Sequence, residues 1–222
     1  MKILVVSAHP DDEVLGAGGT LLKHKKTGDS IDWLITTKVS VDKGFTQERV
    51  TSRQKEIEIV GQHLGIKKIF QLNYDTMHLS DSTALTMIPE IVKIIAESKP
   101  EIIYLVNRSD AHSDHRVTFQ AVMACTKSFR APFIKRVLMY ECISETEFGV
   151  ALAENIFIPN YLVDISEFFE AKINAMKIYE SELGEHPFPR SIKNIEALAT
   201  YRGTMAGVKY AEAFHLLKFI DK

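Results

Sequence analysis

The chain has 222 residues, 45% hydrophobic and 25% charged, with a net charge of −2. This is the composition of an ordinary globular protein, with ample apolar material for one buried core. The small net charge excludes a whole-chain electrostatic footprint for nucleic acid or anionic membranes, so attraction to a substrate must be local.

Residues 3–7 are a short β-rich apolar run, read as a buried strand. The run is too short for a signal peptide, and Asp11, Asp12 and Glu13 follow almost at once. No stretch of about 20 apolar residues is present to span a membrane. Cys125 and Cys142 form no Cys-x-x-Cys pair and are expected as buried free thiols. These features predict a cytoplasmic protein. Leu15, Leu21 and Leu22 place a helix as far as about residue 26, and Gly28 and Asp29 break it. Residues 31–37 predict a second strand, and the polar stretch 41–47, with Gly44, a loop. Val50, Ile57, Val60 and Leu64 recur at helical spacing through residues 48–64, and Gly65 is placed to end that helix. A third strand follows at 68–72, an amphipathic helix at 85–97, a fourth strand at 101–107, a helix over about 115–127 and a fifth strand at 137–142. The last third is less regular: a strand at 160–165, a helix from 167 to about 181, a loop at 183–190 and a helix at 191–206.

Strands alternating with crossover-sized helices predict an α/β fold, a Rossmann-like, mostly parallel sheet flanked by helices on both faces. No repeat or linker divides the chain, so a single domain over residues 1–222 is expected. Sheets of this kind bind ligands at the carboxyl ends of their strands.

Two polar clusters fall at such ends. His9-Pro10-Asp11-Asp12-Glu13 follows the first strand, and Asp110-Ala111-His112-Ser113-Asp114-His115 follows the fourth. Each alone can be read as a polar helix start, where carboxylates are favourable. Together they change the balance, because parallel geometry brings both strand ends to one rim. Histidine and aspartate suit zinc, and a catalytic zinc usually takes three protein ligands and keeps one open position. One cluster can supply His and Asp and the other His. A carboxylate remains as a base and a histidine as an acid or oxyanion partner, which is a kit for metal-assisted hydrolysis. Gly16, Gly18 and Gly19 are not a dinucleotide fingerprint, since carboxylates already fill the helix start.

The His-Pro-Asp-Asp-Glu run after a strand, with His112-Ser113-Asp114-His115 downstream, resembles the LmbE-like or PIG-L family of zinc-dependent N-acetylglucosaminyl deacetylases. Arg53-Gln54-Lys55-Glu56 before Leu64-Gly65, Arg202-Gly203 and the stretch 207–214 extend the resemblance over nearly the whole chain. Ser113 stands where a proline is common. The resemblance implies one Zn2+ per chain held by His9, Asp12 and His115, with Asp11 as general base. It implies that His112 stabilises the oxyanion in its protonated form, that Asp114 holds the His112 ring, and that Arg53 contacts substrate. The implied substrate is a small N-acetylated sugar or glycoside, cleaved to acetate and a free amine, and homo-oligomers are expected by the same analogy. The loops at 39–47, 73–83, 144–154 and 183–190 are the expected substrate readers, with Phe45, Tyr74, Phe148 and Phe188 as aromatic candidates. Two alternatives share these residues: a zinc-dependent amidase acting on a thiol or amino-acid conjugate, and a metal-binding protein without catalysis. Asp11 argues against the second, because a structural zinc needs no free base beside it.

Overall fold

A computed structural model describes residues 1–221. In chain order the elements are β1 (Lys2–Ser7), α1 (Asp12–Lys26), β2 (Ser30–Lys38), α2 (Gln47–Leu64), β3 (Ile66–Asp75), α3 (Asp81–Ser98), β4 (Ile102–Leu105) and α4 (Ser113–Ala124). Then follow β5 (Arg136–Tyr140), β6 (Tyr161–Asp164), α5 (Phe169–Ile178), α6 (Ile192–Ala206) and β7 (Ala211–Phe219). One seven-stranded sheet takes the order β3-β2-β1-β4-β5-β7-β6. The first five strands are mutually parallel, whereas β7 runs antiparallel to both β5 and β6. The expected α/β, mostly parallel architecture is therefore present.

Alternation along the strands divides the core between the two faces. Ile3, Val5, Trp33 and Tyr104 pack with α1, α2, α5 and α6 residues such as Leu21, Val60, Phe169 and Ile195. Leu4, Val6, Leu34 and Ile103 pack on the other face with Met87 and Ile91 of α3 and Val122 of α4. Gly65, at φ 73°, caps α2 in the left-handed region, as the sequence reading requires. Gly16 lets α1 lie directly on β5: a Cβ there would sit 2.1 Å from Cδ2 of Tyr140. The glycine-rich stretch thus serves helix-to-sheet packing.

β7 is the element missing from the sequence reading. Its first residues, Ala211 to Phe214, are all buried, and they include the charged Glu212, so the strand shows no apolar-polar alternation. Among the described residues no helix is long and apolar enough to cross a membrane.

Chain order reverses beside β1, which lies between β2 and β4. That switch point opens a crevice at the carboxyl ends of β1 and β4. Val6 pairs with Leu105, so the two strands end level and deliver the segments after them to the same place.

Candidate functional site

The segment leaving β1 makes a tight start to α1. The N–H groups of Ala8 and His9 donate to Oδ2 of Asp12, at 2.9 and 2.8 Å. This leaves Oδ1 of Asp12 facing the segment after β4, where Nε2 of His115 lies 3.2 Å away. Nδ1 of His9 stands 3.9 Å from Oδ2 of Asp12. Tetrahedral ligands about 2.1 Å from a zinc-sized ion are about 3.4 Å apart, so the three residues are spaced as a chelate. Their donor atoms all lie within 4.8 Å of one another.

Electrostatics point the same way. Burial works against ionisation of Asp12, but His115 and His9 hold its carboxyl well below the usual range. Burial likewise works against a charge on His115, but Asp12 and Asp110 outweigh it and raise the ring's pKa well above the ordinary value. The pocket therefore favours a positive charge at this point. Nε2 of His115 is also buried and, although 3.2 Å from Oδ1 of Asp12, makes no well-directed hydrogen bond, which a native interior rarely tolerates. A cation between His9, Asp12 and His115 answers both features, and this set can hold a metal ion.

Each histidine of the set is backed by a carboxylate. Asp110 accepts from Nδ1 of His115 at 2.8 Å, and is itself held by Nδ2 of Asn107 at 2.8 Å and Oγ1 of Thr146 at 2.7 Å. Asp114 lies 3.1 Å from Nε2 of His9 and accepts the N–H groups of Met77 and Leu79. Carboxylate–histidine pairs of this kind orient metal ligands and fix their tautomer.

The geometry corrects the expected partnership of Asp114 with His112. The Asp114 carboxylate accepts from Nε2 of His9, and lies 3.9 Å from Nδ1 of His112. Nδ1 of His112 instead accepts the backbone N–H of Asp114 at 3.1 Å, capping α4. That bond leaves the ring hydrogen on Nε2. Burial, then the neighbouring His9, pushes the His112 pKa down to about 4. Burial thus favours the neutral ring, whereas the sequence reading expects the charged one. His9, His112 and Asp114 also lie close enough to form a second chelating set, but it shares His9 with the first and needs the Nδ1 or Nε2 of a ring already used as a cap.

Asp11 carries backbone strain. Its φ of 136° and ψ of −30° lie outside the usual L-residue regions, a conformation costing about 1–3 kcal/mol that tends to occur at functional sites. The N–H groups of Val14 and Leu15 hold its carbonyl at 3.0 and 2.9 Å, and its own N–H donates to Oε2 of Glu13 at 3.1 Å. Burial, then Asp12 and Glu182, raise the Asp11 pKa well above the ordinary carboxylate value, with Arg53 and Arg190 opposing. Glu13 is structural: it takes the Asp11 amide and the hydroxyl of Tyr179 at 2.9 Å.

His9, Asp11, Asp12, His112 and His115 line one cavity of about 620 Å3. All four expected loops reach it, through Val39 and Phe45, Thr76 and Met77, Ser144 and Glu145, and Arg190. Of the four aromatic candidates, Phe45 lines the cavity; Tyr74 instead bonds Glu90, Phe148 is 61% exposed, and Phe188 lies under Arg190. Arg53 is in the wall, with its guanidinium largely committed. It donates to the Pro10 carbonyl at 2.8 Å, pairs with Glu182, and lies 3.3 Å from Glu56. Glu182 is shared with Arg49 and Arg190. Sequence reasoning missed Asp110, Glu145, Glu182 and Arg190 as site residues. Asp110 had a signal, as a carboxylate in the second cluster five residues before His115. Glu145 and Arg190 lie in two of the loops expected to read substrate and Glu182 just before one of them, but no pattern singles out any of the three. The remaining histidines with described partners are satisfied locally: His24 by Asp29 and Tyr104, His63 by the Ala171 carbonyl, His78 by the Thr76 carbonyl.

The family model for GlcNAc-PI de-N-acetylase, PIG-L, matches residues 4–126, more than half of the sequence and the part that holds both clusters. The chain is 27% identical to a diacetylchitobiose deacetylase of Thermococcus kodakarensis, over 97% of this chain and 83% of that one. It is 25% identical to a probable N-acetyl-alpha-D-glucosaminyl L-malate deacetylase 2 of Bacillus cereus, over 81% and 83% of the two chains. The N,N'-diacetylchitobiose deacetylase of Pyrococcus horikoshii, solved with its inhibitor MPG, has the same fold, with a TM-score of 0.77 at 24% identity over 97% of this chain and 83% of that one. With its two clusters inside the matched segment, the chain belongs to the PIG-L family.

Proposed function

We propose that the protein hydrolyses the acetamide of an N-acetylated sugar or glycoside, releasing acetate and a free amine, with residues 1–222 acting as one catalytic domain. The observation that carries this reading is the placement of a strained, buried Asp11 and of His112 beside the His9, Asp12 and His115 set in the lining of one cavity. Relatives named as deacetylases of N-acetylated sugars support the substrate class. Zinc is the proposed ion, since two imidazoles and one carboxylate suit it.

When bound, the ion supplies Lewis acidity that polarises the acetyl carbonyl and acidifies water. Asp11 takes a proton as the water oxygen attacks the carbonyl carbon. A carboxyl whose pKa is raised by burial can hold that proton and return it to the nitrogen as the C–N bond breaks. His112 presents Nε2–H to the carbonyl oxygen as negative charge develops there. Asp114 orients His9, and Asp110 orients His115. Arg53 holds the Pro10 carbonyl and so the turn that carries Asp11.

The test is acetate release from a panel of N-acetylated amino-sugars by the wild type and Asp11→Asn at equal metal content. Removing the base should leave metal bound and lower turnover by about 10²–10⁴-fold. Full activity of the variant would overturn the role of Asp11, and a wild-type chain that binds metal but releases no acetate would overturn the substrate class.

A further inference from the structure

The turn after β5 places a carboxylate in the catalytic cavity that none of the roles above uses. Glu145 lines the cavity wall with His112 and Cys142. Its Oε2 accepts the backbone N–H of His112 at 3.1 Å, and its carbonyl accepts the N–H of Ala111 at 3.1 Å. Two hydrogen bonds thus join it to the segment that leads His112 into α4. Its Oε1 has only a marginal contact, Oγ of Ser144 at 3.5 Å. Among the described residues, no lysine or arginine pairs with this carboxylate. A half-buried carboxylate normally finds a donor or a cation, so Oε1 of this cavity-lining residue has unused accepting capacity.

The backbone presents this group deliberately. Ser144 is held at φ 78°, unfavourable for a residue with a side chain. Its Oγ accepts from Nη1 of Arg190 at 2.7 Å, and its N–H donates to Oε1 of Glu147 at 2.7 Å. Thr146, one residue later, holds Asp110 behind His115. The same turn therefore supports the chelate and exposes Glu145 to whatever occupies the cavity.

We propose that Glu145 is a specificity-determining residue: Oε1 accepts a hydrogen bond from a sugar hydroxyl near the acetamido group while Oε2 steadies the backbone of His112. A carboxylate is well suited to this, because a hydroxyl can donate to it in a charge-assisted bond. The inference rests on the amino-sugar deacetylase reading above.

The experiment compares wild type, Glu145→Ala and Glu145→Gln on an N-acetylated amino-sugar and on deoxy analogues that each lack one ring hydroxyl. For one analogue, the wild type should lose about 10–100-fold in kcat/KM relative to the parent sugar. Glu145→Ala should lose a comparable factor on the parent, mainly through KM, and show little further loss on that same analogue. Glu145→Gln retains an oxygen for the His112 amide, so it should fall between the two and serves if the alanine variant does not fold. A purely structural role would lower kcat on the parent and every analogue alike, and that result overturns the proposal. So does wild-type behaviour of both variants. If the wild type releases acetate from no amino-sugar, the functional reading fails and takes this inference with it. Hydrolysis by the wild type without coupling to any hydroxyl sinks this inference alone.

Discussion

Asp110→Asn isolates the carboxylate behind His115. Asp110 uses one oxygen for Nδ1–H of His115 at 2.8 Å and the other for Nδ2 of Asn107 and Oγ1 of Thr146. Asparagine has the same shape but only one acceptor oxygen. If that oxygen serves Asn107 and Thr146, the amide NH2 faces Nδ1 of His115. The ring must then keep its lone pair on Nδ1 and its hydrogen on Nε2, the nitrogen that faces Asp12. A metal can bind there only after the tautomer is reversed and the amide's hydrogen bond is lost. If the amide flips, His115 is satisfied but the NH2 meets the side-chain donors of Asn107 and Thr146. Either arrangement costs metal affinity. Loss of such a supporting carboxylate typically weakens binding 10–100-fold, or about 1.4–2.8 kcal/mol. The assay is competition with a chromophoric chelator, with circular dichroism confirming that the variant is folded. Equal zinc affinity in wild type and Asp110→Asn would refute the reasoning that Asp110 sets the state of His115.

Three further outcomes follow from packing and charge. Gly16→Ala forces a methyl group to within 2.1 Å of the Tyr140 ring, whose hydroxyl donates to the Val6 carbonyl; a loss of about 1–3 kcal/mol is expected by denaturant unfolding, and an unchanged midpoint would contradict the close approach. Lys172→Met leaves the buried Glu212 without its 2.7 Å cation and should cost about 3–5 kcal/mol, read in the same assay. Burial lowers the pKa of His24 despite its hydrogen bond to Asp29. The unfolded chain therefore binds this proton first, and stability falls as pH drops below about 6.5 toward the lower folded pKa. His24→Gln should show a shallower loss of stability between pH 7.5 and the acid side of that window; an identical slope would exclude His24 as a contributor.

The strands β1 to β4 were legible because each contains a short apolar run and is followed by a helix. The candidate metal-holding set was legible as a group of residues because they sit in two compact clusters, each in the segment that follows a strand. β7 was not, because a buried glutamate occupies its second position and answers to tertiary partners, not to alternation: Glu212 accepts from the amides of Gly19 and Thr20 and from Lys172. The state of His112 was also beyond the sequence. Asp114 lies two positions away in the chain, yet its carboxylate turns to His9, and only the fold decides between the two rings. Arg53 shows the same limit, since its partners Pro10 and Glu182 lie on separate segments.

The irregular last third has a mechanical part in the chemistry. The chelate, Asp11 and His112 all lie within residues 9–115, but α1, whose first turn carries Asp12, is gripped from the C-terminal side. Lys172 donates to the Leu15 carbonyl at 2.8 Å, while Glu212 takes the Gly19 and Thr20 amides at 2.8 Å each. Leu15 and Gly19 are four apart, so the ion pair engages both groups of one helical rung. Tyr179 holds Glu13, which in turn holds the strained Asp11 amide, and Glu182 secures Arg53 behind Pro10. A residue at φ 136° stays there only if its surroundings over-determine it. In this chain much of that constraint comes from residues 172–212, far in sequence from Asp11, the proposed base. Substitutions at Lys172, Tyr179 or Glu212 should therefore lower turnover without touching the substrate, while conservative changes on the exposed face of α6 should not.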